Sequence, residues 1–457
     1  MKRRRFFNVT AAAGSAAVLT ALHPSPAETA PAGNPRTVTD DGKLSGYTLA
    51  ELRNLYRSDL FDDYVPFHDK YVVDHELGGF MVSVDRDGTP VSTDKGAWYL
   101  GRGTWTYSYL FNKLDKNPKH LEAARKAVEF TLARKPADDS FWPATFSKDG
   151  QPIAPPEKRF YGDLFIANGL QEFSKAPGNE RYWDTAKEII LKCLRVYDRD
   201  DYPPETLGKD GPTIPAPRIQ GHWMCLINTI NGMLEITPDS APRNRGPLAR
   251  RDPELERIMD RSLGAVLTRH YNPDYRLNNE VLNHDLSRPD NDFNQYVVTG
   301  HSIETFWMIM YEAVRRKDKK LFDTAAERFK RHVEVAWDDV YDGAFHTLSH
   351  VDRNEWAVQK AQWLQAEILI GTMCMIEHTG DEWAKEWFGR TYRYVRNKYV
   401  LKQYGFPLWI DYADRKVTFE RHSSRAENFH HPRHLMLNLL AVERIMKRGG
   451  KVSGVFG

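Results

Sequence analysis

The sequence has few cysteines and almost no net charge, and each shortage excludes a class of protein. Only 3 cysteines occur in 457 residues, none in a Cys-x-x-Cys pair, which excludes a disulfide scaffold and a cysteine zinc site. The 64 basic residues against 62 acidic ones give a formal net charge of +2, without the basic excess typical of nucleic-acid-binding proteins. The sequence also contains no Gly-x-x-x-x-Gly-Lys-[Ser/Thr] phosphate loop, and we predict no cofactor.

Long apolar runs are absent beyond the N-terminal region. Lysine and arginine fill positions 2–5, an Ala-rich apolar stretch covers 6–22, and small residues follow at 25–30. Because Arg-Arg-x-Phe-Phe at 3–7 resembles a twin-arginine motif, we predict an export signal at residues 1–30 and a periplasmic or secreted protein. A general secretory signal or an uncleaved anchor is the alternative. After removal of the signal, no association with a membrane is expected.

Two kinds of helix alternate along the rest of the chain. In 117–135 and 319–337, apolar residues recur every three or four positions between charged ones, which is typical of an outer-layer helix. Other segments are apolar or aromatic on all sides and must be covered on both faces. These buried helices are predicted to begin near residues 98, 160, 222, 300, 357 and 430.

Short aromatic runs ending in Asp-Gly separate several of the helix pairs and predict β-hairpins. Six buried helices, each paired with an outer one, predict an all-α fold, an (α/α)6 barrel with short β-hairpins on one rim. We assign the barrel to residues 47–450, after a linker at 31–46 and before a C-terminal tail at 451–457.

Polar residues interrupt the apolar inner helices at positions where packing alone would favour leucine. A single buried histidine is usually a hydrogen-bonded core residue, but several here lie near the start of their helix and would converge at one end of the barrel. His430 and His434 have a spacing that can chelate a metal, yet no His-Glu-x-x-His motif occurs, and we predict no metal. The interrupting residues are Arg102, His222, His301, Glu304, Gln365, Glu367 and His430.

Four motifs carry a family resemblance that spans about residues 47–450. They are Gly78-Gly-Phe to Trp105, Gly300-His-Ser-Ile-Glu304, Trp363-Leu-Gln-Ala-Glu367 and Phe429-His-His-Pro-Arg433. The chain resembles the N-acylglucosamine 2-epimerase family, also called renin-binding proteins, which includes cellobiose 2-epimerases and mannose isomerases. The resemblance implies an (α/α)6 barrel, in agreement with the helix pattern.

The resemblance also implies roles for individual residues. It makes His301 and His430 the acid/base pair and Arg102 the partner of the sugar oxygen, with Glu304 and Glu367 beside the histidines. Since Glu304 lies one turn from His301, we expect it to orient that ring. The residues expected to contact the substrate are His222, Trp363, Gln365, Trp98, Tyr161 and Arg433.

The activity implied is interconversion of N-acylglucosamine and N-acylmannosamine through an enediolate, by an enzyme of the isomerase class. Mannose–fructose isomerisation and cellobiose 2-epimerisation remain alternatives, since they share the first proton abstraction. A glycoside hydrolase or lyase on the same fold is a further alternative, with Glu304 and Glu367 as its carboxylates. A sugar-binding protein without activity is the last. The expected partner is a small carbohydrate, and family relatives are often homodimers.

Overall fold

The fold is a ring of six inner helices enclosed by outer helices. The computed structural model describes residues 36–85, 87–235, 252–400 and 425–457. The predicted export signal at 1–30 lies outside the described residues. The inner helices are α3 (Ala97–Tyr109), α5 (Tyr161–Phe173), α7 (Gln220–Leu234), α9 (Thr299–Arg316), α11 (Gln362–Thr379) and α13 (His430–Lys447).

The outer helices cover the backs of the inner ones. They are α4 (Pro118–Leu132), α6 (Arg181–Tyr197), α8 (Pro253–Gly264), α10 (Lys319–Ala336) and α12 (Glu382–Lys398). The sixth outer member packs against α13 and consists of α1 (Leu49–Ser58) and α2 (Val65–Tyr71), joined by a π-helical segment, Asp59–Tyr64. The predicted (α/α)6 architecture is confirmed.

The first and last inner helices close the ring. The Thr106 hydroxyl donates to the carbonyl oxygen of Asn428 at 2.7 Å, and the rings of Trp105 and Phe429 meet edge to face at 5.4 Å. Elsewhere consecutive inner helices pack directly, most closely α3 against α5. A Cβ atom on Gly101 would lie 2.2 Å from the backbone of Phe165, so only glycine permits this approach.

Short antiparallel strands connect the helix pairs, as predicted. One sheet joins β3 (Met81–Val84), β4 (Pro90–Gly96) and β5 (Thr145–Phe146), and β4 leads directly into the N-terminus of α3. Two-stranded pairs join β1 (Lys43–Leu44) to β2 (Tyr47–Thr48), β6 (Glu205–Thr206) to β7 (Thr213–Ile214), β8 (Arg218–Ile219) to β11 (Val281–Leu282), β9 (Tyr271–Asn272) to β10 (Leu277–Asn278), and β12 (Thr347–His350) to β13 (Glu355–Ala357). Because β4 and β8 lead directly into inner helices and β13 ends shortly before one, these hairpins form the rim at the helices' N-terminal ends.

The segments on either side of the predicted barrel domain contact it. Thr37 donates its backbone N–H to the carbonyl oxygen of Gly450 at 3.0 Å, and Ser453 donates to that of Glu377 at 2.9 Å. The ring of Phe456 packs against Phe322 with centroids 5.0 Å apart. Among the described residues, no helix combines the length and apolarity needed to cross a membrane.

Candidate active site

A cavity of about 340 Å³, hereafter the upper cavity, lies at the N-terminal ends of the inner helices. His301 belongs to the first turn of α9, Trp363 to that of α11, and His430 is the first residue of α13. Helix N-termini carry a partial positive charge, so their convergence favours negative charge on a bound molecule. Seven of the predicted site residues line this cavity, namely Trp98, Arg102, Tyr161, His301, Glu304, Trp363 and His430.

His301 is held by a carboxylate that the sequence analysis missed. Its Nδ1 lies 2.8 Å from Oε1 of Glu280, a residue that is only 4% exposed. The expectation that Glu304 orients His301 is therefore wrong. Since an ionised carboxylate only accepts hydrogen bonds, Nδ1 carries a proton and Nε2 remains for chemistry. Burial lowers the pKa of His301, but the charge and hydrogen bond of Glu280 more than offset it, so the pKa lies above its ordinary value.

A buried carboxylate also holds His430, but the pKa of this histidine is shifted in the opposite direction. Its Nδ1 lies 2.9 Å from Oε1 of Glu367, a fully buried carboxylate. Burial, together with the nearby cations Arg102 and Arg433, lowers the pKa of His430 to about 3. Neutral His430 therefore presents an unprotonated Nε2 at neutral pH, whereas His301 binds its proton more strongly.

Arg433 joins the two glutamates that were predicted to lie beside the histidines. Its Nη2 lies 2.5 Å from Glu304 and 2.8 Å from Glu367, and all three side chains are buried. Trp307 also donates its indole N–H to Glu367 at 2.6 Å. Arg433 does not line the upper cavity, so it supports the site from below and is not placed to touch a substrate there.

Arg102 is the cation that faces the cavity. Its guanidinium carbon lies 4.1 Å from the ring centroid of Phe165, 5.2 Å from that of Trp98 and 5.3 Å from that of Phe429. Burial lowers the pKa of Arg102, although Glu427 and Glu304 oppose this by their charge. Within the described part of the chain, no carboxylate lies within ion-pair distance of this guanidinium. An arginine held by ring faces keeps its donors for a ligand oxygen.

Trp363 contacts both catalytic candidates. Its ring centroid lies 6.2 Å from that of His301 and 5.2 Å from that of His430. On another wall Trp98 and Tyr161 pack with centroids 5.2 Å apart. All three aromatic residues line the upper cavity, and their contact with a substrate stays a prediction.

Sequence reasoning also missed Glu427, a carboxylate that lines the upper cavity. Its side chain accepts the backbone N–H groups of Phe429, His430 and His431 at 2.8–2.9 Å, and so caps the first turn of α13. An acidic residue just before a helix is a recognisable capping signal. No comparable local signal marks Glu280, which reaches His301 across 21 residues of sequence.

Besides Arg433, two residues predicted to contact the substrate do not line the upper cavity. His222 is fully buried behind Tyr161, with ring centroids 4.5 Å apart, and also packs on Phe160 at 4.2 Å. Gln365 exchanges two hydrogen bonds with the backbone of Ala344, at 3.0 and 2.9 Å. These two predictions are corrected: both side chains build the walls of the barrel.

The histidines at 431 and 434 turn away from the cavity. The ring of His434 packs on Tyr56, and that of His431 on Tyr64, each with centroids 5.8 Å apart and on the side of the outer helix. Oxygen and nitrogen atoms of Glu304, Glu367 and His430 do lie close enough to share a metal ion. The Arg433 guanidinium, however, already supplies a cation that bonds both carboxylates.

Comparison with known proteins agrees with this geometry. The family model described as N-acylglucosamine 2-epimerase (GlcNAc 2-epimerase) matches residues 78–434, which include every residue of the site described above. The chain belongs to the N-acylglucosamine 2-epimerase family. The resemblance predicted from the motifs is confirmed, and with it an enzyme of the isomerase class.

Individual relatives include proteins that act on different sugars. The N-acylglucosamine 2-epimerase of Bos taurus is 26% identical over 362 residues, covering 75% of this chain and 79% of the relative. A cellobiose 2-epimerase of Ruminococcus albus is 25% identical over 346 residues, covering 71% and 82%. The solved cellobiose 2-epimerase of Bacillus thermoamylovorans has a TM-score of 0.71 at 16% identity, covering 86% and 100%, and so shares the fold.

Proposed function

We propose that the protein interconverts N-acylglucosamine and N-acylmannosamine by moving the proton on C2 of the open-chain sugar. The observation that carries the proposal is the histidine pair: two imidazoles contact one tryptophan, each is held by a buried carboxylate, and their proton affinities are displaced in opposite directions. The choice of N-acyl sugars is supported by the matching family model and by the bovine relative.

In the proposed mechanism His430 is the base and His301 the acid. Neutral His430 removes the C2 proton at Nε2, and the electron pair of the broken C–H bond forms the C1=C2 bond of an enolate, whose negative charge lies on the C1 oxygen. Arg102 stabilises the negative charge that develops on the C1 oxygen, as do the converging helix N-termini. Protonated His301 then delivers its proton to the opposite face of C2. Atoms and charge balance, because one proton enters and one leaves the sugar.

The geometry speaks against the hydrolase alternative. A glycoside hydrolase needs two carboxyl groups on either side of the scissile bond. Glu367 is fully buried, does not line the cavity, and is bonded by Arg433, Trp307 and His430. Glu304 is paired with the same arginine. Both carboxylates therefore serve to hold other side chains.

Turnover in deuterated water tests the proposed chemistry. With N-acetylmannosamine as substrate, the N-acetylglucosamine formed first should carry deuterium at C2, while the unreacted substrate still carries hydrogen there, because donor and acceptor are different histidines. With mannose as substrate, deuterium at C1 of a ketose would instead identify an isomerase. Parallel incubations with mannose and cellobiose cover the alternative substrates. No exchange with any of the three sugars would refute the proton-transfer mechanism.

Single replacements of the histidines test their roles. His301→Asn and His430→Asn should each abolish turnover while the circular dichroism spectrum stays unchanged. His434→Asn serves as a matched control, because that ring is buried on the far side of α13 and should retain activity in the folded fraction. Full activity of both His301→Asn and His430→Asn would remove the pair from the mechanism.

We also propose that residues 1–30 direct export of the folded protein. The support is the arginine pair followed by two phenylalanines at 3–7. Replacing Arg3 and Arg4 by lysine should leave the protein in the cytoplasmic fraction of a bacterial host with a twin-arginine pathway. Unchanged export would refute this signal type.

A further inference from the structure

A second and larger cavity, hereafter the lower cavity, lies at the opposite end of the barrel. Its volume is about 850 Å³, within the range of about 300–1,000 Å³ usual for ligand pockets. It is lined by the C-terminal halves of the inner helices, for example by Tyr109 of α3, Asn231 of α7 and Arg444 of α13. None of its lining residues belongs to the upper cavity, so the proposed epimerase chemistry does not account for it.

Four buried polar atoms on the wall of the lower cavity have no hydrogen-bond partner among the described residues. They are Nδ2 of Asn168, Oε1 of Gln171, and Nε and Nη1 of Arg433, on side chains that are only 1–2% exposed. A buried donor or acceptor without a partner costs about 1–3 kcal/mol. Gly232 permits the Gln171 side chain to pack closely against α7, since a Cβ there would lie 2.6 Å from the Gln171 amide nitrogen. Side chains that line a cavity and carry unpartnered polar atoms favour a polar ligand.

The charges around the lower cavity are matched within the protein. Lys175 pairs with Glu172 at 2.7 Å, Arg315 with Glu312 at 2.6 Å, and Arg444 with Glu377 at 2.6 Å. The other described arginines on its wall, Arg316 and Arg433, are ion-paired as well. A charged ligand would have to compete with these pairs, whereas a neutral one would not. The pairing of these charges therefore favours a neutral ligand.

Two aromatic pairs supply broad apolar faces next to these polar groups. Trp105 and Tyr109 stack with centroids 4.7 Å apart and planes at 22°, and Trp307 and Tyr311 meet edge to face at 5.3 Å. All four residues line the lower cavity. Pyranose rings combine an apolar C–H face with hydroxyl groups that donate and accept hydrogen bonds, and this wall combines ring faces with amides.

We propose that the lower cavity is a second binding site, specific for a neutral saccharide. Asn168, Gln171 and the partly exposed Asn228 bond its hydroxyl groups, and the aromatic pairs cover its ring. Arg433 also lines this cavity, and its Nη2 lies 3.2 Å from Nδ1 of His430, so a bound sugar lies one side chain away from the proposed base.

Indole N–H signals of the full-length protein in ¹⁵N NMR test the proposal, since Trp105 reports on the lower cavity and Trp98 on the upper. Each signal is assigned with a Trp→Phe variant. N-acetylglucosamine, mannose and cellobiose serve as neutral probes, and glucose 6-phosphate as the charged one. At least one neutral probe should shift the Trp105 signal with its own saturation curve. No shift with any neutral probe up to its solubility limit, or a shift with the phosphate alone, would overturn the proposal.

Variants of the amide pair separate binding in the lower cavity from indirect effects. Asn168→Leu combined with Gln171→Met removes both amides at similar volume and should weaken the Trp105 response at least tenfold, while the Trp98 response keeps its midpoint. If this double variant does not fold, Asn228→Leu, at a less buried position, should produce the same selective loss. Equal weakening of both responses, or of neither, would refute a separate lower site.

Discussion

Replacing Glu280 by glutamine is the sharpest test of how the histidine pair is tuned. The change is nearly isosteric and keeps an oxygen for the Gly221 N–H, which Glu280 accepts at 3.2 Å. What it removes is the negative charge 2.8 Å from Nδ1 of His301. The pKa of His301 lies above its ordinary value because of that charge and hydrogen bond, so the variant should lower it.

The size of the effect follows from the strength of a hydrogen bond to a charged group. A bond to a charged acceptor contributes about 1.5–3 kcal/mol and one to a neutral acceptor about 0.5–1.5 kcal/mol, so loss of the charge alone costs about 1–1.5 kcal/mol. About 1.4 kcal/mol corresponds to a factor of ten. Because His301 must be protonated to act as the acid, Glu280→Gln should lower kcat/KM about tenfold at neutral pH. Activity is lost as pH rises through the pKa of His301, so the alkaline limb should move to lower pH in the variant.

The assay is the pH profile of kcat/KM for N-acetylmannosamine, with the buffer ions held constant. Glu122→Gln makes the same chemical change on the exposed face of α4, where Glu122 pairs only with a neighbouring arginine, and should leave the profile unchanged. An alkaline limb that stays in place in Glu280→Gln, or moves to higher pH, would refute the assignment of His301 as the acid.

Three further predictions concern two arginines and two glycines. Arg433→Met leaves two buried glutamates without their cation and should reduce the free energy of unfolding by about 3–5 kcal/mol in urea titrations; an unchanged midpoint would contradict the ion-pair account. Arg102→Leu should lower kcat about a hundredfold to a thousandfold without loss of stability, because this cation is held by ring faces; unchanged kcat would refute its role at the oxyanion. Gly101→Ala should cost about 1–3 kcal/mol by overpacking, whereas Gly264→Ala, with open space around it, should stabilise by about 0.5–1 kcal/mol; equal effects in thermal melts would refute the close packing of α3 on α5.

The barrel was predictable because its inner helices are apolar on every face. Their predicted starts agree with the structure within a few residues at five of six positions. The exception is α11, which begins at Gln362 and not near 357, because Glu355–Ala357 pair as a strand with β12. An apolar run long enough for either element cannot be divided by periodicity alone.

The predicted residues that line the upper cavity all lie in the first two turns of an inner helix. His301, Trp363 and His430 lie in the first turn. His222 also lies near a helix start, but it faces the aromatic residues of the wall, and the rotation of a helix buried on all sides leaves no trace in the sequence pattern. Glu280 lies between strands, and only the tertiary fold brings it to His301.

A change in the pKa of His301 alone must nevertheless change the rate of the reaction in both directions. The forward reaction starts with a proton on His301 and ends with a proton on His430, and the reverse reaction starts with the proton on His430. In both directions the two histidines together carry one proton. The ratio of forward to reverse kcat/KM equals the equilibrium constant of two neutral sugars, which no side chain and no pH change can alter. Glu280→Gln must therefore slow epimerisation in both directions by one factor, although Glu280 touches only His301. Because the pKa of His430 is about 3, the enzyme with its proton on His430 is less stable than the enzyme with its proton on His301. The proton therefore returns to His301 between turnovers.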